Sequence, residues 1–447
     1  MKRKTYIFSL LASLLLLTSC DNFLDVQPTG KVIAKTGEEY RALLTGIYNS
    51  FPDDRSLTTL RTDELTLDPA SITAEDYNTY FDIWTWNDIT PDENTTSYSW
   101  RNFYHTIYIA SYVIEKEGEI TEASTAERSQ LAGEAYMLRA YCYSILVNLF
   151  GQPYTKCNPA TALAVPLLVS ADVESVLERS TVEAVYQQIL SDISMAKQKL
   201  NVDTWDEDLK YRFNTTSADA LQARVCLYMG RWQEALDAAK AVIAAYPDLE
   251  DLTQTTYTMP DNYKSKEAIV CLEQVMKSAY KAIGVPNRDF ITSIRTGDLR
   301  KNRYFKAKTS QIYDLLKGGD NECRSTFRSA EAYLTAAEAA ARLGNLTEAI
   351  GQITPLVQNR YLAALQTTVA TEMTVMTQEQ LIDFILEQRR CELCFEGHRW
   401  FDLRRTTQPQ IDKTYDGITY TLQQGDSRYT IPIPREAISA NPLLSQE

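Results

Sequence analysis

The chain has 447 residues, with 45 Lys or Arg against 59 Asp or Glu and a formal net charge of -14. That balance repels nucleic acid and anionic lipid and excludes both as partners by charge. A chain of this length buries enough surface to fold without covalent staples.

The N-terminus is the most explicit part of the sequence. Lys2, Arg3 and Lys4 precede an apolar run over 7–17. This run is shorter than the roughly 20 residues that span a bilayer. Basic residues before a short apolar core mark a secretion signal. Leu17-Thr18-Ser19-Cys20 is a lipobox, where bacterial lipoproteins are cleaved and acylated. The expectation is that residues 1–19 are removed and that Cys20 carries the lipid. Residues 20–35, with Pro28 and Gly30, then serve as a tether, and 36–447 form a single helical domain. Loss of the leader would leave 42 cations against 59 acidic residues, a charge of -17. Two or more acyl chains anchor a protein stably, and no later segment is apolar enough to cross a membrane. Seven cysteines follow Cys20, an odd number. Cys142 and Cys226 sit among apolar residues and read as buried thiols.

Along the rest of the chain the dominant period is helical. Apolar residues recur at three- and four-residue spacing over 126–149, 180–200, 217–229, 231–246, 325–343 and 378–396. Two regions repeat a pattern of small residue, Gly and small residue: Ala223, Gly230, Ala235, Val242 and Pro247, then Ala337, Gly344, Ala349 and Leu356. These spacings match tetratricopeptide-like helix pairs, so the expected class is all-α. Three stretches read as irregular: 53–97, 248–320 and 406 to the end. The first holds Tyr77, Tyr80, Phe81, Trp84 and Trp86 within ten residues.

That aromatic cluster is the leading candidate for a binding site. A sugar ring packs its apolar C–H face on an indole or phenol while its hydroxyls reach nearby polar groups. On an extended strand Trp84 and Trp86 would face the same way, with Asp63, Glu64 and Asn87 as hydrogen-bonding partners. Nothing in the chain reads as catalytic: no nucleophile elbow, phosphate loop or dinucleotide fingerprint is present. No cofactor is expected. The spacing of Cys391, Cys394 and His398 lacks a fourth ligand and reads as structural rather than as a zinc site. The mixed charges over 389–405 read as an ion network joining a helix to the loop after Gly397. The acidic run 203–208 lacks a calcium-loop glycine and reads as a solvated turn.

Several motifs, in order along nearly the whole chain, resemble the SusD/RagB lipoproteins of Bacteroidetes. They are Asp21 to Pro28, Trp100 to Ile107, Gly133 to Ala140 with Leu149 to Pro153, Arg179 to Val182, Arg328 to Leu334, Gln388 to Arg405 and Ile431 to Glu436. The resemblance implies a SusD-like scaffold of tetratricopeptide-like pairs carrying a loop-rich ligand face. It also implies a glycan-binding lid on a SusC-like TonB-dependent transporter of the outer membrane. An oligopeptide-binding lid and a structural lid with no ligand of its own stay open. By the same resemblance Arg295, Asp298, Arg300 and Tyr304 belong to a segment near the ligand face, though Asp298 and Arg300 equally fit a turn. The chain is short for the family between Arg300 and Ser325, which argues against a deep site.

Overall fold

A computed structural model describes residues 34–172 and 176–445. The leader, Cys20 and nearly all of the tether lie outside the described residues. The eleven longer helices are α1 (Gly37–Asn49), α2 (Ala74–Trp84), α3 (Trp100–Lys116), α4 (Thr125–Phe150), α5 (Val182–Lys199), α6 (Thr215–Met229), α7 (Trp232–Ala245), α8 (Ser329–Arg342), α9 (Leu346–Arg360), α10 (Ala363–Thr374) and α11 (Gln378–Glu392). Their starts follow from local chemistry. Thr36 with Glu39, Ser124 with Glu127 and Thr377 with Gln380 form reciprocal capping boxes at α1, α4 and α11.

The six helices expected from apolar periodicity are present with ends shifted by a few residues. The last stops at Glu392, short of 396, because Phe395 and Gly397 turn the chain at φ 59° and 70°. The two repeats are α6 with α7 and α8 with α9. Gly230 and Gly344 make the turns at φ 74° and 81°, a conformation that costs glycine little. Ala223, Ala235, Val242, Ala337, Ala349 and Leu356 are all buried along the helix pairs. Helix α8 packs on α7, α9 and α11, while α4 is flanked by α3 and α5, so paired helices form a layered scaffold.

The stretches read as irregular contain more order than the sequence suggested. Residues 53–97 hold helix α2. Four short antiparallel ladders pin the loops, pairing Leu65–Leu67 with Gly284–Pro286 and Ala268–Val270 with Phe327–Arg328. Phe305–Ala307 pairs with Tyr313–Leu315, and Ile411–Tyr415 with Ile418–Leu422. The short 300–325 segment is therefore a tight hairpin, and its Lys317 enters the core.

The charges at the ends of α8, α9 and α11 meet in the interior. Arg328 reaches Glu267 at 2.7 Å, Glu392 at 2.9 Å and Glu396 at 2.8 Å. Arg360 reaches Glu267 at 2.6 Å and Glu392 at 2.8 Å, and Lys317 reaches Glu396 at 2.5 Å. A second group joins Arg224 to Glu331 and Arg405 to Glu338, with Arg389 on Asp402 at 2.8 Å. The 389–405 run is thus a structural ion network. Burial opposes charge on Glu392, but the Arg360 and Arg328 guanidinium groups hold its carboxyl well below the ordinary range.

Removing one member of such a network strands its partners in low dielectric. Arg328→Met is expected to cost about 3–5 kcal/mol. Urea unfolding should show a lowered midpoint at an unchanged slope. A loss below about 1 kcal/mol would mean that the three carboxylates find other donors.

Candidate ligand-binding face

Helix α2 starts where the Thr73 hydroxyl accepts the Asp76 N–H. Tyr77, Phe81 and Trp84 then fall on one stripe, at i, i+4 and i+7. The stripe faces the C-terminal hairpin, Ile411–Tyr415 with Ile418–Leu422. This hairpin turns through Asp416 and Gly417 at φ 49° and 75°, the pair of positive angles that suits a two-residue connection. Alternation puts Ile411, Lys413 and Tyr415 on one face, opposite Leu422, Tyr420 and Ile418.

The rings interlock. Tyr77 stacks on Phe81 with centroids 4.2 Å apart, and Tyr415 lies 5.6 Å from Tyr77 and 5.4 Å from Phe81. Tyr420 meets Phe81 edge-on at 5.4 Å. These four rings are half-buried, and Ile418 beside them is 57% exposed. Trp84 lies underneath, 6.4 Å from Tyr415 and 6.3 Å from Tyr420.

The expectation that Trp84 and Trp86 offer ring faces to a ligand is corrected by their burial. Trp84 is 0% and Trp86 1% exposed. Their indole N–H groups donate to Leu65 O at 3.1 Å and Arg61 O at 2.9 Å. Nor do they lie on a strand: Trp84 ends α2, and Trp86 follows it at φ 60°. Between them sits the ammonium of Lys413, 5.1 Å from the Trp84 ring centroid and 4.1 Å from that of Trp86. It donates to Leu60 O at 2.7 Å and Trp84 O at 2.9 Å. Burial, with Arg61 nearby, pushes the Lys413 amine well below its ordinary range. Carbonyls and indole faces are what retain it.

The other expected site residues are dispersed. Tyr80 lies on the far flank of α2, edge-on to Tyr280 at 5.5 Å. Asn87 donates to Asp82 at 2.9 Å and to Thr90 O at 3.0 Å, bracing the loop after α2. Asp63 accepts from Arg399 at 2.8 Å and Arg390 at 3.0 Å. Burial raises the Asp63 carboxyl, but these two guanidinium groups more than offset that and hold it well below the usual range. Tyr304 is fully buried under Lys317, so it is a core residue and its ring is closed to ligand. Arg295 is exposed and paired with Glu372 of α10. Asp298 binds both the backbone and the guanidinium of Arg300, the turn reading of that pair. Sequence reasoning missed Tyr415, Tyr420 and Lys413. Alternation on both sides of Asp416-Gly417 was the signal that would have found them.

Among the described residues no group of three or more His, Cys, Asp or Glu side chains is disposed to hold a metal. Asp203, in the acidic run, accepts from the Thr215 hydroxyl at 2.9 Å. Cys142, Cys226, Cys391 and Cys394 are buried free thiols. Glu64 is buried with one carboxyl oxygen unbonded. Burial and the neighbouring Asp63 push its carboxyl up to about 8. Unfolded, it would ionise near 4.5. Folding stability is therefore expected to fall as pH rises between these values and to level off above them. Glu64→Gln should remove that slope in urea titrations across the window, and an unchanged slope would show that Glu64 ionises freely in the folded protein.

Two family models match consecutive parts of the chain. One, described as starch-binding associating with outer membrane, matches residues 22–227, and the SusD family model matches residues 286–447. A SusD-like protein of Formosa agariphila is 26% identical, over 100% of this chain and 98% of its own length. A second from the same organism is 20% identical over 80% of this chain and 79% of its own. A SusD superfamily protein from Bacteroides thetaiotaomicron has the same fold, with a TM-score of 0.76 at 23% identity over 91% of this chain and 98% of that one. A SusD-like carbohydrate binding protein from Bacteroides vulgatus aligns at a TM-score of 0.67 and 18% identity, over 92% and 97% of the two chains. With these matches along most of its length and the helical pairs in place, the chain belongs to the SusD family.

Proposed function

We propose that this protein is a lipid-anchored, cell-surface glycan-binding protein that serves as the lid of a TonB-dependent barrel transporter. The observation that carries the reading is the ring cluster Tyr77, Phe81, Tyr415 and Tyr420, half-open to solvent above a floor of Trp84, Trp86 and Lys413. Rings already locked by packing stack on a sugar with little further loss of entropy. The surface is shallow, so each contact is modest, and efficient uptake relies on the effective concentration that a lid and barrel create. The lipobox at Cys20 supports the anchor, and no helix among the described residues is long and apolar enough to cross a membrane. The family's outer-membrane association supports the location, with the ligand face turned to the outside.

Calorimetry with neutral oligosaccharides tests the face. Tyr77→Ala combined with Tyr415→Ala should weaken binding by about tenfold or more, the worth of roughly two ring contacts. Unchanged affinity would remove the cluster from the site. A glycan array that stays blank while a peptide library is captured would move the reading to an oligopeptide lid. Separately, Cys20→Ala should release the protein from the membrane fraction and abolish incorporation of labelled palmitate; a variant that stays membrane-bound would overturn the anchor.

A further inference from the structure

Although the chain is acidic, with a net charge of -14, one of its clefts is not. Between the loop after α4 and the C-terminal segment lies a concavity of about 760 Å³. That size falls in the range of small-ligand pockets. Its walls carry Lys156, Arg179 and Arg428 together with Asp88 and Asp426.

Both wall carboxylates are already engaged. Asp88 accepts two bonds from Arg61, at 2.6 and 2.8 Å. Asp426 accepts from Arg428 at 2.7 Å. Two of the cations are not neutralised. Lys156 is exposed, and its ammonium has no carboxylate partner among the described residues. Arg179 donates only to carbonyls, from Nε to Ala164 O at 2.9 Å and from Nη2 to Leu163 O at 3.0 Å. Its Nη1 is left without a partner among the described residues.

A third uncompensated charge lies behind the floor. The Arg404 guanidinium is caged by the carbonyls of Asn148, Gly151 and Tyr429 and meets no carboxylate among the described residues. Tyr429 and Thr430, which it touches, line the cleft. Burial pushes Arg179 down, and Arg404 down to about 10. Arg360 and Arg405, buried like Arg404 but paired with carboxylates, move up instead. An unneutralised guanidinium in low dielectric projects its field into the neighbouring cavity.

We propose that this cleft is a binding site for a carboxylate carried by a short oligomer, with Lys156 and the free edge of Arg179 as its direct partners. The shared chemistry is the carboxylate, borne either by a uronic acid residue or by the C-terminus of a short peptide. Asp88 and Asp426 on the same walls disfavour a polyanion, which would meet like charge there. The site is distinct from the aromatic face and does not depend on it.

Titration calorimetry of the mature chain tests the site with four probes: a galactose trisaccharide ending in one galacturonate, the neutral galactose trisaccharide, N-acetyl-trialanine, and N-acetyl-trialanine amide. The expected result is saturable binding of the singly acidic trisaccharide or of N-acetyl-trialanine, which names the source, with no binding of its uncharged counterpart. Raising salt from ~50 to ~500 mM should weaken it. Lys156→Glu, at an exposed position with no structural partner, should weaken it by about tenfold or more while leaving the thermal midpoint unchanged. Tyr77→Ala with Tyr415→Ala should leave this affinity intact, so loss of the aromatic reading and loss of this one are separable. Equal binding of charged and uncharged probes, an affinity indifferent to Lys156→Glu, or no binding of either acid would overturn the proposal.

Discussion

A single buried guanidinium, that of Arg328, holds three carboxylates from two distant parts of the chain. Glu267 precedes a loop strand, whereas Glu392 and Glu396 lie at the end of α11 and in the turn beyond it. Arg360 closes the arrangement from the end of α9, and Lys317 enters from the short 300–325 hairpin. Each of these groups is expensive to bury alone, so the arrangement is favourable only when all its members are in register. That constraint makes the position of the loops a consequence of the helical pairing. The scaffold fixes the ends of α8, α9 and α11, and the charges at those ends fix the loops.

The helical part of the fold was legible because its signal is local. Ala223 to Val242 and Ala337 to Leu356 show a period and a turn glycine that need no tertiary information. The proposed binding face was legible only in part. The cluster at 77–86 lies on the helix that carries the proposed face, yet aromatic spacing alone does not say which rings are covered. Trp84 and Trp86 are closed because Lys413, more than three hundred residues away, inserts between them. A lysine on a strand ordinarily reads as solvent-facing. Only the observed register, with Lys413 directly opposite Tyr420, places it inside. Asp63 went astray for the same reason, since it is claimed by Arg399 from a distant segment, whereas Tyr304 is covered by Lys317 of its own hairpin.

Charge is distributed unevenly between the two candidate surfaces. The scaffold neutralises most of its buried arginines with carboxylates, as at Arg224, Arg328, Arg360 and Arg405. Arg404 and Arg179 are met by backbone carbonyls instead. A carbonyl satisfies a donor without cancelling its charge, so these two sites hold an arginine in place and keep its field. They fall beside one cleft. Beneath the aromatic face Lys413 is also met by carbonyls, but it is enclosed between two indoles, away from the surface, and burial pushes its amine well below the ordinary range.

That difference bears on how the aromatic face can work. A ring platform that adapted to each ligand would lose affinity to ordering on every encounter. Here Lys413 ties the hairpin to α2 through Trp84 O and to the preceding loop through Leu60 O. The Asp416-Gly417 turn then sets Tyr415 and Tyr420 at fixed distances from Phe81. Breaking the tie would strand two carbonyls and open a cavity between two indoles, so the hairpin has little freedom to swing away. The open faces of Tyr77 and Tyr415 are therefore held in a fixed arrangement, and on the proposed reading selectivity comes from the shape of that surface rather than from its rearrangement.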